Sequence, residues 1–195
     1  MGGVAILIPA AGASSRMRGK DKLLETVRGQ PLLRDRVTLA LGTGCAVAVT
    51  LPPEAAARRA ALDGLNVTLL PVPDAATGMS ASLRTGAEWA MATGAAALIV
   101  LLPDLPDLTE SDMSLMLQAN DSETIFRACD MDGTPGHPVI LPARLLPELT
   151  QITGDTGARG LLRAHPVTPV PLPGQHATTD LDTPEAWAAW RAAQP

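Results

Sequence analysis

Aromatic side chains are nearly missing from this sequence. Its 195 residues include no tyrosine, one phenylalanine and three tryptophans. Proteins that grip single-stranded nucleic acid stack its bases on aromatic platforms, so that class is disfavoured. Excess positive charge is missing too. The 15 Lys and Arg against 20 Asp and Glu leave a net charge of -5, whereas nucleic-acid surfaces need broad basic patches. No nucleic-acid partner is expected.

Cysteine is scarce. Cys45 and Cys129 stand far apart, with no C-x-x-C pair and no zinc-like spacing, so both are read as reduced, buried small residues. Long apolar runs are absent, the longest being Ala95 to Leu102, far too short to span a bilayer. No basic lead-in precedes the first apolar run, and Ile6 stands where N-myristoylation takes Ser or Thr. A cytoplasmic protein with no membrane partner is expected. No repeat or low-complexity linker divides the chain, so residues 1–195 are read as a single domain, large enough for a core without staples.

What the chain does have is concentrated early. Val4 to Ile8 has the length and β-branched content of a buried strand. Behind it, Arg16, Arg18, Lys20 and Lys22 place four of the 15 basic residues within seven positions, opposed only by Asp21. In an acidic protein this local excess points to an anionic ligand. Small residues let backbone N–H groups approach such a ligand while the cations match its charge, and a phosphate chain is the expected anion. Glycine spacing excludes two common phosphate loops. Gly12 and Gly19 are too far apart for a Walker loop, Asp21 stands after Lys20, and G-x-G-x-x-G is absent. A solvated basic loop is the plainer alternative.

Further on, Pro31 reads as the first position of a helix with Leu32, Leu33, Val37 and Leu41 on its apolar face. Cys45–Leu51 is a strand, Glu54–Asp63 a helix, and Val67–Leu70 a third strand. This β-α-β-α-β order with short connections predicts a parallel sheet covered by helices on both faces. Met79–Thr93 is a helix, and Ala97–Leu102, apolar at every position, is a central strand buried on both faces. In the less regular second half, Ser111–Ala119 is helical, and Thr124–Ala128 and Pro138–Leu141 are strands. Arg144–Leu149 and Ala158–Ala164 are short helices. Val167–Leu172, with prolines, is an edge strand or an extended segment, and Thr178–Leu181 is extended. Thr183-Pro184-Glu185 starts a last helix with Trp187 and Trp190 on one face, read as core packing.

Ligands of open parallel sheets bind beyond the carboxyl ends of the strands, where the 9–22 loop and Asp104 both fall, so these should meet. A carboxylate there suits a divalent cation, since magnesium takes one or two carboxylates plus phosphate oxygens and waters. A turn or capping role for Asp104 is the alternative. Asp180 and Asp182 point to one side of an extended segment and either supplies a second carboxylate, although Asp182 could simply lead into the last helix. In Gly78-Met79-Ser80-Ala81-Ser82-Leu83, capping accounts for one serine and a nucleotide contact for the other. His137, Asp155 and Arg159 lie on glycine-flanked loops, each divided evenly between loop structure and function. No G-x-S-x-G elbow supports a nucleophilic triad.

The loop A-A-G-x-S-x-R-M-x-x-x-x-K-L-L resembles the signature of the molybdenum cofactor nucleotidyltransferases. G-M-S-x-S-L, D-x-P, G-H-P, G-D-x-G-A-R and D-x-D-T-P-E follow in the order of the cytidylyltransferase that matures this cofactor, over nearly the whole chain. The resemblance implies an α/β, three-layer α/β/α Rossmann-like fold with a mostly parallel central sheet. It implies transfer of CMP from CTP to molybdopterin-bound molybdenum cofactor with magnesium. Ala10-Ala11-Gly12, where the guanylyl relatives usually read A-G-G, favours CTP over GTP. Residue by residue, it implies Arg16, Lys22 and Asp104 as catalytic, and Ala10, Ala11, Gly12, Ser14, Ser80 and Ser82, with those three, as nucleotide-binding. His137, Asp155 and Arg159 would bind the acceptor, and Asp104, Asp180 and Asp182 the metal. The recipient molybdoenzyme or its chaperone is a further possible partner. Alternatives are a guanylyltransferase, a transferase of the same fold with another phosphorylated acceptor, and a non-catalytic cofactor-binding chaperone. The sequence departs from the pattern at Arg18 to Lys20, where the family loop has a Gly soon after Met17, and at Ala186, where an acid is common.

Overall fold

In the computed structural model, which describes residues 2–154 and 157–194, the first strand β1 (Val4–Pro9) sits near the middle of a seven-stranded sheet. The other strands are β4 (Ala46–Leu51), β5 (Thr68–Pro71), β6 (Ala97–Val100), β7 (Ile125–Cys129), β8 (Pro135–Pro142) and β9 (Val167–Pro171), in the order β5-β4-β1-β6-β8-β7-β9. A small separate hairpin joins β2 (Thr26–Val27) to β3 (Gln30–Pro31). The sheet is mostly parallel, as expected. Only β8 runs against its neighbours β6 and β7.

Side chains alternate between two cores because successive strand residues face opposite sides. Ile6 and Ile8 join Ile99 on one side, and Ala5 and Leu7 join Leu98 and Val100 on the other. The first side is covered by α1 (Leu32–Leu41), α2 (Ala56–Ala61), α4 (Glu110–Ala119) and α7 (Pro184–Ala193). The second is covered by α3 (Met79–Ala92), α5 (Leu146–Leu149) and α6 (Arg159–Ala164). Helix α3 lies very close to β1, since a Cβ built on Gly86 would fall 2.1 Å from the side chain of Leu7.

Several expectations shift in detail. Pro31 precedes the first helix as its N-cap rather than opening it. A hairpin precedes it, turning at Arg28-Gly29, both at positive φ (49° and 80°), as a two-residue turn requires. The Glu54–Asp63 helix contracts to Ala56–Ala61. Val167–Pro171 is an edge strand parallel to β7, where its prolines cost few ladder bonds. Thr178 closes a turn over residues 174–178, and residues 179–182 follow it without regular secondary structure. The tryptophans pack as read, with Trp187 buried and its ring edge-on to Trp190 at 5.9 Å. Both cysteines are free, but Cys45 is only partly buried. No helix among the described residues is long and apolar enough to cross a membrane.

Gly136 in β8 marks where that turn presses on the sheet. A Cβ there would lie 2.0 Å from the carbonyl oxygen of Ala177, which also accepts the amide of His137 at 2.9 Å. Backbone cannot rotate away as a side-chain tip can. Gly136→Ala is therefore expected to destabilise the protein by about 1–3 kcal/mol, the cost of forcing atoms into a packed core. Urea unfolding checks this, and an unchanged midpoint would mean the contact has room to relax.

Candidate active site

The loop after β1 is folded by its own residues before any ligand arrives. The Ala10 amide donates to Thr50 of β4 at 3.0 Å, and Met17, nearly fully buried, pins a short 3-10 turn over Ser15–Met17. Ser14 and Arg18 bracket that turn with left-handed backbone, φ 50° and 52°. Arg18 thus carries a conformation that glycine adopts at less cost, which fits the departure from the family loop noted at this point. Its guanidinium reaches Glu185 of α7 at 2.6 Å. Asp21 caps a second 3-10 turn, Lys22–Leu24, by accepting the Leu23 amide at 3.0 Å.

The loop is clamped from below by Arg58 of α2, for which the sequence carries no local signal. Its guanidinium donates to Asp21 at 2.6 and 2.9 Å and to the Ala10 carbonyl at 2.6 Å, and reaches Ser14 Oγ at 3.4 Å. Its neighbour Arg59 looks identical in sequence. Only the pairing of β4 beside β1, which brings α2 under the loop, distinguishes the two.

Strands β1 and β6 are parallel neighbours, so their carboxyl ends deliver Lys22 and Asp104 to one place. Lys22 Nζ donates to Asp104 Oδ2 at 2.6 Å and to Asp182 Oδ1 at 2.5 Å, and Arg16 pairs with Asp182 Oδ2 at 2.7 Å. Burial would lower the Lys22 pKa, but the two carboxylates outweigh it and hold the ammonium above its ordinary value. Asp180 stays on the exposed flank, makes no such contact, and its carboxyl is pushed up by desolvation and then by Asp182 and Asp104. Of the two carboxylates read as candidates for the second ligand, Asp182 is the one that shares Lys22 with Asp104. A divalent cation fits this donor set. Asp104 Oδ1 is buried with no hydrogen-bond partner among the described residues, and magnesium needs only one or two carboxylates when phosphate oxygens complete its shell.

Both carboxylates are held from behind. Arg36 of α1 donates to the carbonyls of Leu105 (3.0 Å) and Leu108 (2.7 Å), and Arg28 donates to that of Pro106 (3.1 Å), with Asp35 bound to both arginines. On the other side, Thr178 donates to Asp130 at 2.5 Å and the His176 ring meets Asp112 at 2.9 Å, strapping down the segment that leads to Asp182. Trp190 reaches Asp107 at 2.9 Å, and the Leu181 amide reaches the Asp104 carbonyl at 3.2 Å.

Two cavities open on either side of Met79 and Leu102. One, of about 560 Å³, is lined by Ala11, Gly12, Ser14, Arg16, Lys22, Ser82, Asp104 and Asp182. The other, of about 700 Å³, is largely apolar, with His137, Arg127, Arg159 and Arg163 among its lining residues. Ala10 and Ser80 do not reach either space. Ala10 serves through its carbonyl, and Ser80 is buried with its hydroxyl turned to Arg84 at 3.3 Å rather than capping the helix. Asp155 lies outside the described residues. His137 is held neutral, its pKa lowered to about 4 by burial and then by the Arg127 charge, and its Nδ1 has no partner among the described residues.

Comparison with known proteins places this geometry. Residues 6–170 match the family model described as the MobA-like NTP transferase domain. Nicotine blue oxidoreductase of Paenarthrobacter nicotinovorans is 28% identical over 188 residues, covering 90% of each chain. The crystal structure of Rv0371c from Mycobacterium tuberculosis H37Rv has 26% identity and a TM-score of 0.82, covering 98% of this chain and all of its own. A second structure of that protein, complexed with manganese, gives 24% identity and a TM-score of 0.81 over the same shares.

Two outcomes follow from the clamp and the histidine. Arg58→Met should cost on the order of 2–3 kcal/mol, somewhat less than breaking a fully buried pair because Asp21 keeps some solvent. Denaturant unfolding of the variant reads this, and a loss under half a kilocalorie per mole would remove the clamp. Because His137 titrates near 4 when folded and near 6.5 when unfolded, the unfolded chain binds more protons between these values. Stability is therefore lost as pH falls through that window, by roughly 3 kcal/mol from this group. His137→Asn should flatten the slope between pH 6.5 and 4.5 relative to the unmodified protein, and an equal slope would contradict it.

Proposed function

The chain belongs to the MobA-like NTP transferase family, and from that membership we propose that it transfers CMP from CTP to molybdopterin-bound molybdenum cofactor. The products are the cytosine dinucleotide form of the cofactor and pyrophosphate. The observation that carries this reading is Lys22 clasped between Asp104 and Asp182 opposite a glycine loop, at the carboxyl ends of adjacent parallel strands. A protein that only carried the cofactor would need neither the lysine nor the carboxylates.

The acceptor's terminal phosphate oxygen attacks the α-phosphorus of CTP in line. A new P–O–P bond forms as the bond to the β-phosphate breaks, and pyrophosphate leaves with the negative charge. Little covalent work falls to the protein, whose contribution is positioning and charge neutralisation. Ala11, Gly12 and Ser14 line the side of the cavity that would receive the nucleotide, and Ser82 lies on the same cavity. Arg16 and Lys22 bind the triphosphate, and Lys22 stabilises the charge that grows as pyrophosphate departs. Asp104 and Asp182 would hold magnesium, which when bound neutralises triphosphate oxygens. His137 and Arg159, at the larger cavity, face the acceptor, and a neutral imidazole there donates or accepts a hydrogen bond without repelling Arg127.

The oxidoreductase among the relatives favours a second reading, an oxidation or reduction carried out at the apolar cavity. Hydride transfer requires no lysine between carboxylates, so transfer of a nucleotidyl group is preferred.

Pyrophosphate release with each of the four nucleotides, with and without molybdopterin, tests the assignment. Release should require molybdopterin and be greatest with CTP. Release with GTP instead would move the chain to guanylyl transfer, and release with sugar phosphates but not the pterin would sink the acceptor. Asp104→Asn, which keeps shape but loses charge, should cut single-turnover rates by about 10²-fold or more while the melting temperature holds. Rates like those of the unmodified protein would remove Asp104 from the site.

A further inference from the structure

Lys22 Nζ lies between the two carboxylates that the proposed function assigns to a divalent cation. One nitrogen touches an oxygen from each of Asp104 and Asp182, and all three side chains are only 15–19% exposed. The remaining oxygen of Asp182 is neutralised by Arg16 at 2.7 Å. The two carboxylates are thus already balanced by two cations of the protein itself. A bare metal ion must displace the ammonium, and the displaced Lys22 then needs a new anion. The triphosphate in the adjoining cavity is the group that supplies one, because Lys22 and the loop that carries it line that space.

We propose that Lys22 is an internal cation that excludes bare metal from the Asp104–Asp182 pair, so that divalent metal and nucleoside triphosphate bind only together. Triphosphate draws Lys22 and Arg16 off the carboxylates, and the vacated oxygens accept the metal that arrives on the phosphate chain. By linkage the effect is reciprocal: metal must strengthen nucleotide binding by the factor by which nucleotide strengthens metal binding. This rests on reading the site as a nucleotide–metal site, and adds that the lysine sets the order of its occupation. It also lowers the chance that the enzyme is loaded with metal alone in a form that grips the wrong anion.

Manganese titration followed by the electron paramagnetic resonance signal of the free ion tests this without any turnover. The protein is compared with and without α,β-methylene-CTP, alongside Lys22→Met and Lys22→Arg, with thermal melts of each. The unmodified protein should bind manganese about 10-fold or more tightly with the analogue present, within the usual range of coupling between sites. Lys22→Met should bind bare manganese about 10-fold or more tightly than the unmodified protein and lose most of the coupling. Lys22→Arg keeps the internal cation and should exclude bare metal as lysine does. Equal bare-metal affinity in the unmodified protein and Lys22→Met overturns the proposal. If Lys22→Met does not fold, the unmodified protein alone decides, since manganese binding indifferent to the analogue overturns it equally. Failure of manganese to bind under any of these conditions would instead strike at the nucleotide–metal reading itself.

Discussion

Two ionised carboxylates held side by side, partly out of water, repel each other unless a cation lies between them. At Asp104 and Asp182 that cation is Lys22, and much of the molecule exists to bring the three together. Asp104 stands beyond β6, Lys22 at the far end of the loop after β1, and Asp182 just before the last helix. Loss of the ammonium would leave two like charges facing each other, a repulsion that one carboxyl could escape only by taking up a proton. On the reading proposed above, the same cluster is the one that a triphosphate and its metal would take apart, so the ion pair and the proposed chemistry share one lysine.

The surrounding architecture reads as support for that arrangement. Parallel pairing of β1 with β4 and β6 brings three strand ends to one edge. Arg58 fastens the loop from one side, while Arg28 and Arg36 hold the turn after Asp104 by its carbonyls. Each of these arginines neutralises a carboxylate as it binds backbone, Asp21 in one case and Asp35 in the other. The helix that follows Asp182 is tied to Asp107 through Trp190. The side chains of the candidate site therefore rest on packed elements, and Arg16, paired with Asp182, is the most exposed of the cluster, at 70%.

Where sequence was informative, the reason is local. Apolar runs such as Ala97–Val100 leave no choice but a buried strand, and the carboxyl-end rule then joins the 9–22 loop to Asp104. Where it was not, the deciding contact is distant in the chain. Arg58 and Arg59 differ only in which one faces the loop, and Asp180 and Asp182 only in which one the turn at residues 174–178 delivers to Lys22. Ser80 and Ser82 are separated in the same way, one facing the cavity and the other a neighbouring arginine. Periodicity assigns a residue to an element, but the rotation of that element is set by packing.

The partition of isotopic label tests nucleotidyl transfer most directly. With CTP labelled at either its α- or its γ-phosphorus, and molybdopterin as acceptor, the α label should appear in the pterin product. The γ label should appear in pyrophosphate. Both should be lost together when Asp104 is replaced by Asn. Release of the γ label as inorganic phosphate, or its transfer to the acceptor, would contradict attack at the α-phosphorus and with it the role given to Lys22 and the two carboxylates.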